Sequence, residues 1–140
     1  MVRIYIFDSY AWIAYFRKEE GFDRIAGLLD CVDQQKSKLI TCGINLGEVY
    51  YMLLRKQNEE KAKFAIETIL QLPVNVVIPD FELILLSAKI KAKFKISYAD
   101  AFAIQVCMKE KGILVSDDPE IHNLKDLLGF ECLRVAELPF

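Results

Sequence analysis

A single histidine, and four cysteines with no CxxC or CxxH spacing, leave this chain without the nitrogen and sulfur pairs that build zinc sites. A Walker motif and a glycine-rich phosphate loop are also missing, so nucleotide binding of that kind has no support. No uncharged apolar stretch reaches the roughly 20 residues that a spanning helix needs. The apolar run from Val2 to Phe16 is cut by Asp8 and carries no small-residue cleavage site, so neither a membrane span nor a signal peptide is expected. Cys31, Cys42, Cys107 and Cys132 then read as buried, reduced thiols of a cytoplasmic protein. Excess positive charge is lacking as well. The formal net charge is −2, which argues against indiscriminate phosphate binding but leaves room for a local basic rim. Repeats, low-complexity stretches and linkers are absent, and 140 residues fit one domain, residues 1–140, around a single sizeable core.

What the chain has in abundance is apolar residues, at 54%, which suits an α/β fold whose strands are covered on both faces. Val2 and Ile4–Phe7 form a short buried-strand pattern that stops at Asp8. A helical segment follows through Trp12 and Phe16. Residues 21–35 read as a second helix, with Phe22, Ile25, Leu28, Leu29 and Val32 on one face. Lys38–Cys42 suits a second strand. Asn45 can cap a helix running past Glu48 to about Lys56, and Asn58 another to about Gln71. After Pro73, Val74–Ile78 is the third strand, and Asp80 opens a helix with Leu83, Leu86 and Ile90 in phase. Ser97 opens the next, which closes at Gly112. Ile113–Val115 is the fourth strand, Asp118-Pro119-Glu120 starts a short helix, and Glu131–Val135 is the fifth strand. This alternation predicts a three-layer α/β/α sandwich around a five-stranded parallel sheet.

Four acids, Asp8, Glu48, Asp100 and Asp118, fall where a strand ends or a helix begins. In an open α/β sheet that is where distant parts of the chain converge. Each acid alone is explained as a helix cap: Ser97-x-x-Asp100 and Asn45-x-x-Glu48 have capping-box spacing, Asp118 precedes Pro119, and Asp8 can cap the helix after the first strand. The set argues for more. Asp100 lies among Ala99, Ala101, Phe102 and Ala103, and Glu48 between Leu46 and Val49–Met52, where solvated carboxylates are out of place. A doubly wound order would bring Asp8 and Asp118 side by side at the switch point. Carboxylates gathered in this way repel, and a divalent cation makes the cluster tolerable. Oxygen-only ligation selects Mg²⁺ or Mn²⁺, and one such ion, or two about 4 Å apart, suits hydrolysis of a nucleic-acid phosphodiester.

The segments Ile6–Ile13, Asn45–Tyr51, Ile96–Ala101 and Leu114–Glu120 together resemble the four blocks of the PIN domain, and most of all the VapC-type ribonuclease toxins of toxin–antitoxin pairs. The resemblance covers nearly the whole chain in the right order. It implies a parallel five-stranded sheet with helices on both faces, and it places Asp8, Glu48, Asp100 and Asp118 at the family's acidic metal positions. Ser9 and Ser116 match hydroxyl positions that orient those acids or a bound water. Two departures stand out: Tyr10 occupies a place where many relatives carry Ser or Asn, and Asp117 is an extra acid beside Asp118. The hydroxyl–x–Asp pattern assigns the ligand to Asp118, with Asp117 as the alternative or as a sharer of the role. The resemblance further implies an RNA substrate, a small antitoxin as partner, and a homodimer.

Other residues have plainer explanations. His122, on a short surface helix, reads as a bystander rather than a general base. Lys89, Lys91, Lys93 and Lys95 read first as solvated faces of a helix and second as an RNA-facing rim, as do Arg17, Lys18, Arg55 and Lys56. The aromatics Trp12, Tyr15 and Phe16, with Tyr50, Tyr51 and Met52, could line a groove for an inhibitory peptide whose Arg or Lys enters the acidic site. The leading expectation is therefore an Mg²⁺- or Mn²⁺-dependent endoribonuclease toxin of a type II toxin–antitoxin pair. The alternatives are a PIN-like RNA-processing nuclease or a non-catalytic RNA- or protein-binding module outside such a pair. A phosphotransferase with Asp8 as nucleophile is disfavoured, because the haloacid-dehalogenase pattern wants an acid where Tyr10 stands.

Overall fold

In the computed structural model, which describes residues 2–140, the apolar runs form five strands: β1 (Arg3–Phe7), β2 (Ser37–Cys42), β3 (Asn75–Val77), β4 (Ile113–Val115) and β5 (Glu131–Leu133). They pair in parallel in the order β3-β2-β1-β4-β5. The chain winds outward from β1 in one direction, then returns to add β4 on its other side, so the switch point lies between β1 and β4. Alternation along β1 divides the core: Tyr5 and Phe7 point to one face of the sheet, Ile4 and Ile6 to the other. The first face is covered by α1 (Ser9–Phe16), α2 (Phe22–Asp33), α3 (Gly43–Lys56) and α4 (Glu59–Gln71). The second is covered by α5 (Phe81–Lys93), α6 (Tyr98–Glu110) and the short α7 (Pro119–His122). A further short helix, α8 (Lys125–Leu128), precedes β5. No helix among the described residues is long and apolar enough to cross a membrane.

Buried side chains explain why these segments hold together. Trp12 is fully buried, edge-on to Phe7, and donates from Nε1 to Thr41 Oγ1 at 3.1 Å, so α1 is pinned across the ends of β1 and β2. Gly112 lets the turn between α6 and β4 approach β1. A Cβ there would lie 2.2 Å from Ile6 Cδ1 and 2.9 Å from Ile4 O. All four cysteines are free thiols, three buried and Cys31 half-buried.

Three sequence expectations need correction. Asn45 does not cap α3: the helix starts two residues earlier, Cys42 is its N-cap residue without a side-chain bond, and Asn45 is fully buried inside the first turn. Its Nδ2 instead donates to the carbonyl of Ala99 in α6 at 3.2 Å. The expected return of Asp100 to the Ser97 amide is replaced by a contact with the Ser97 hydroxyl, although Ser97 Oγ does accept from the Asp100 amide at 3.0 Å. The fifth strand stops at Leu133, because Glu137 Oε1 and Asp117 Oδ1 accept the amides of Arg134 and Val135, at 2.9 and 2.8 Å, and turn the chain into a 3-10 turn over Val135–Glu137. The caps at Asp8, Asn58, Asp80, Ser97 and Asp118 form as expected.

Candidate active site

The carboxyl ends of β1 and β4 lie side by side, and α1, α3, α6 and α7 all begin at that end of the sheet. Asp8, immediately after β1, is 2% exposed. One of its oxygens accepts the Ala11 amide at 2.9 Å, capping α1, and the Ser116 hydroxyl bears on the carboxylate and favours its charged form. Burial is the main force that pushes its pKa up to about 7; the two hydrogen bonds oppose this, and the charges of Asp100 and Asp117 add to it. Asp100, half-buried in the first turn of α6, is raised to about 6, again chiefly by burial. The Ser97 hydroxyl opposes that rise, whereas the Asp118 and Glu48 carboxylates reinforce it.

Glu48 projects from the second turn of α3 and is held by two hydroxyls. Ser9 Oγ donates to Oε1, and Tyr51 Oη donates to Oε2 at 3.1 Å. Tyr51 in turn carries the Arg55 guanidinium over its ring, 5.2 Å from the centroid. Asp118 caps α7 by accepting the Glu120 amide at 2.9 Å, and its own amide donates to Ser116 Oγ at 3.2 Å. The neighbouring acids thus take different roles. Asp118 stands against Asp100, whereas Asp117 is exposed and spends one oxygen on the Val135 amide while its charge bears on Asp8.

Capping and clustering are therefore compatible. A carboxylate has two oxygens; Asp8 and Asp118 each give one to a helix N-terminus and still face the other acids. No base neutralises the group. The sole ion pair among the described residues is Lys63–Glu59 at 3.1 Å on α4, so no Lys or Arg lies within 4.0 Å of any acid in the cluster. The donor set, all carboxylate oxygen, fits a hard divalent cation in chemistry. In position it is not a closed cage: among the described residues no three Asp, Glu, His or Cys side chains converge on one point. Glu48 is drawn aside by Ser9 and Tyr51, and the aspartates are tied to helix amides.

Two contributors escaped the sequence reading. Asn45, taken as a cap, links the helices that carry Glu48 and Asp100. His122, taken as a bystander, sits beneath the Ser116–Asp118 turn with its Nε2 at 2.7 Å from the Ser116 carbonyl. Asn45 carried no local signal, since its partner is 54 residues away. His122 carried none either, since a lone imidazole has no periodicity. The four lysines from Lys89 to Lys95 are exposed; Lys91 and Lys93 end α5, and Lys95 stands two residues before the Ser97 cap.

The same arrangement of strands and helices occurs in solved structures. VapBC2 from Rickettsia felis bound to a promoter DNA fragment matches with a TM-score of 0.71 at 12% identity, over 94% of this chain and 98% of that one. Mycobacterium tuberculosis VapC20, described as a sarcin-ricin-loop-cleaving toxin, matches at 0.70 and 17%, over 90% and 95%. VapBC-1 from nontypeable Haemophilus influenzae matches at 0.69 and 19%, over 96% and 99%. At such identities the likeness concerns the fold. Among curated proteins, no significant sequence match is found. The family model described as PIN domain matches residues 5–127, and that span runs from within β1 into α8 and holds every acid of the cluster: the chain belongs to the PIN domain family.

Proposed function

We propose that this protein is a divalent-metal-dependent endoribonuclease, using Mg²⁺ or Mn²⁺, and the toxin component of a type II toxin–antitoxin pair. The observation that carries the proposal is a cluster of carboxylates from four separate elements at the switch point, two of them raised by burial and mutual charge, with no basic side chain to neutralise them. Asp8, Asp100 and Asp118, with Glu48 turned from Tyr51, would hold the cation. The bound ion would supply Lewis acidity and lower the pKa of water for attack on a phosphodiester. Ser9 and Ser116 orient Glu48 and Asp8, and Asn45 sets the spacing of α3 and α6. Arg55 and the exposed lysines near the end of α5 supply cationic side chains for the flanking phosphates.

An RNA substrate is supported by the family and by the fold shared with a toxin described as cleaving the sarcin-ricin loop. An antitoxin partner is supported by neighbours that are toxin–antitoxin complexes, one of them from Klebsiella pneumoniae. Fully buried Trp12 cannot line a docking groove. The available groove, about 420 Å³, lies between the end of α1 and the α3–α4 hairpin and is lined by Phe16, Arg17, Leu53, Gln57, Lys61 and Phe64. An amphipathic antitoxin segment fits it, and a homodimer and a cytoplasmic location complete the proposal. The decisive experiment is cleavage of RNA by purified protein with Mg²⁺ or EDTA. Asp8→Asn and Asp100→Asn should abolish Mg²⁺-dependent cleavage without unfolding the chain. Near wild-type cleavage by either variant would refute the site, and no cleavage by the wild type would favour a binding module, for which the drawn-aside Glu48 already speaks.

A further inference from the structure

Every polar atom of Ser116 is employed. Its amide donates to Leu133 O at 2.9 Å, which ties the end of β4 to β5. Its hydroxyl accepts from the Asp118 amide at 3.2 Å and bears on the Asp8 carboxylate, whose pKa it lowers, so a single oxygen lies between two acids of the cluster. Its carbonyl lies 2.7 Å from His122 Nε2. Because a carbonyl can only accept, this distance fixes the hydrogen on Nε2 and makes His122 the donor. Cys132 Sγ lies 3.4 Å from the same nitrogen and closes the space beside it. Ser116 is fully buried, so without the imidazole its carbonyl would be left unpaired in a site that water does not reach.

The bond also closes a short circuit of chain. His122 is the last residue of α7, the helix that Asp118 caps; its ring reaches back over the helix to the residue two before that cap. Turn, cap and helix are thereby locked into one unit, with Ser116 aimed at Asp8 and Asp118 aimed at Asp100. A space-filling histidine would need none of this. We propose that His122 is a positioning residue of the site: by holding the Ser116 carbonyl it fixes the turn that orients Asp8 and Asp118, and the cation affinity of the cluster depends on its Nε2–H. The inference rests on the metal-dependent reading above. It gives His122 no contact with substrate or ion and no role as a base.

Partners that hold ligand-bearing groups in place are worth 10- to 100-fold in metal affinity in other sites. The test is Mn²⁺ binding without RNA, followed by the electron paramagnetic resonance signal of free Mn²⁺, on wild type, His122→Leu, His122→Gln and His122→Asn. Leu keeps the bulk and loses the donor. Gln carries an amide that reaches the carbonyl, and Asn is too short to do so. We expect about 10-fold weaker Mn²⁺ binding for Leu and Asn, recovery in Gln, and a lowered kcat with unchanged KM for RNA. Ile69→Val, destabilised in the core far from the site, should leave the affinity unchanged and so controls for stability. Wild-type affinity in His122→Leu, or a loss in Gln equal to that in Leu, overturns the proposal. If His122→Leu does not fold, the Gln–Asn pair decides in the same way. Should Asp8→Asn lose Mn²⁺ while His122→Leu keeps it, only this inference falls. If wild type binds no Mn²⁺, the metal reading falls and takes this inference with it.

Discussion

The middle of the sheet and its carboxyl end obey opposite rules. In the middle, Ile6, Phe7, Leu39, Ile40, Leu114 and Val115 are buried apolar side chains shared between the two faces. At the carboxyl end, beginning with the residues that directly follow them, lie five of the seven buried polar residues among those described: Asp8, Ser9, Thr41, Asn45 and Ser116. Burying a carboxylate costs free energy unless it is neutralised, and Asp8 is raised to about 7 for that reason. One region is built for stability, and the other gives stability up to hold charges together. Departures from local rules concentrated in one place are what a functional site looks like.

The sharpest way to break that contrast is to change the adjacent acids separately. Asp118→Asn should reduce RNA cleavage at least about 100-fold, and Asp117→Asn about 10-fold or less, because Asp117 already spends an oxygen on Val135. The reverse order would assign the ligand to Asp117. Next comes stability in EDTA, measured by thermal and urea melts. Leu114→Ala, in the apolar middle, should destabilise by about 2–5 kcal/mol. Asp8→Asn should instead raise the metal-free melting temperature at pH 8, since Asn still caps α1 and removes only the charge. A fall in both would show that the two regions do not differ.

The pH dependence has a definite sign. Asp8 has a folded pKa of about 7 against 3.8 unfolded, so the folded chain binds the extra proton. The contribution of Asp8 to metal-free stability is therefore fully present below about pH 4, is lost by a few kcal/mol as pH rises through 7, and is constant above that. Asp100, raised to about 6, steepens the lower part of that fall. Asp8→Asn should flatten the profile, and a profile that rises between pH 5 and 8 in EDTA would contradict the buried-charge account. The smallest effect belongs to the basic rim. Lys91→Ala with Lys93→Ala should raise KM for RNA a few-fold, more at low salt than at high, and leave the fold unaltered.

Much of this was legible before any coordinates. The strands announced themselves because a parallel sheet buried on both faces needs continuous apolar runs, and the acids because they interrupt or end those runs. The strands that precede Asp8 and Asp118 could be paired in advance, since the switch point of a doubly wound sheet follows from the order of its elements. Asn45 was misread because Asn-x-x-Glu is the local pattern of a capping box, whereas the residue is engaged by a carbonyl that only the folded chain brings near. The fifth strand was read too long for the same kind of reason. Nothing in Glu131–Val135 itself forbids two more strand residues; Asp117 and Glu137 take their amides. His122 was unreadable because one imidazole carries no periodicity, and its meaning lies in the carbonyl it holds.

The crossing of the chain over its own first strand has a consequence for timing. β1 carries Asp8 and is made first, yet its second neighbour, β4, begins at Ile113, and Asp118 follows that strand. A chain still on the ribosome, or one cut short within α6, has Asp8, Glu48 and Asp100 but an open edge where the fourth acid should stand. Such an edge offers unpaired backbone and no complete cluster. The four-acid site proposed above is therefore complete only once β4 and Asp118 have been made. A partner that restrains the proposed nuclease would have the whole of translation in which to be ready.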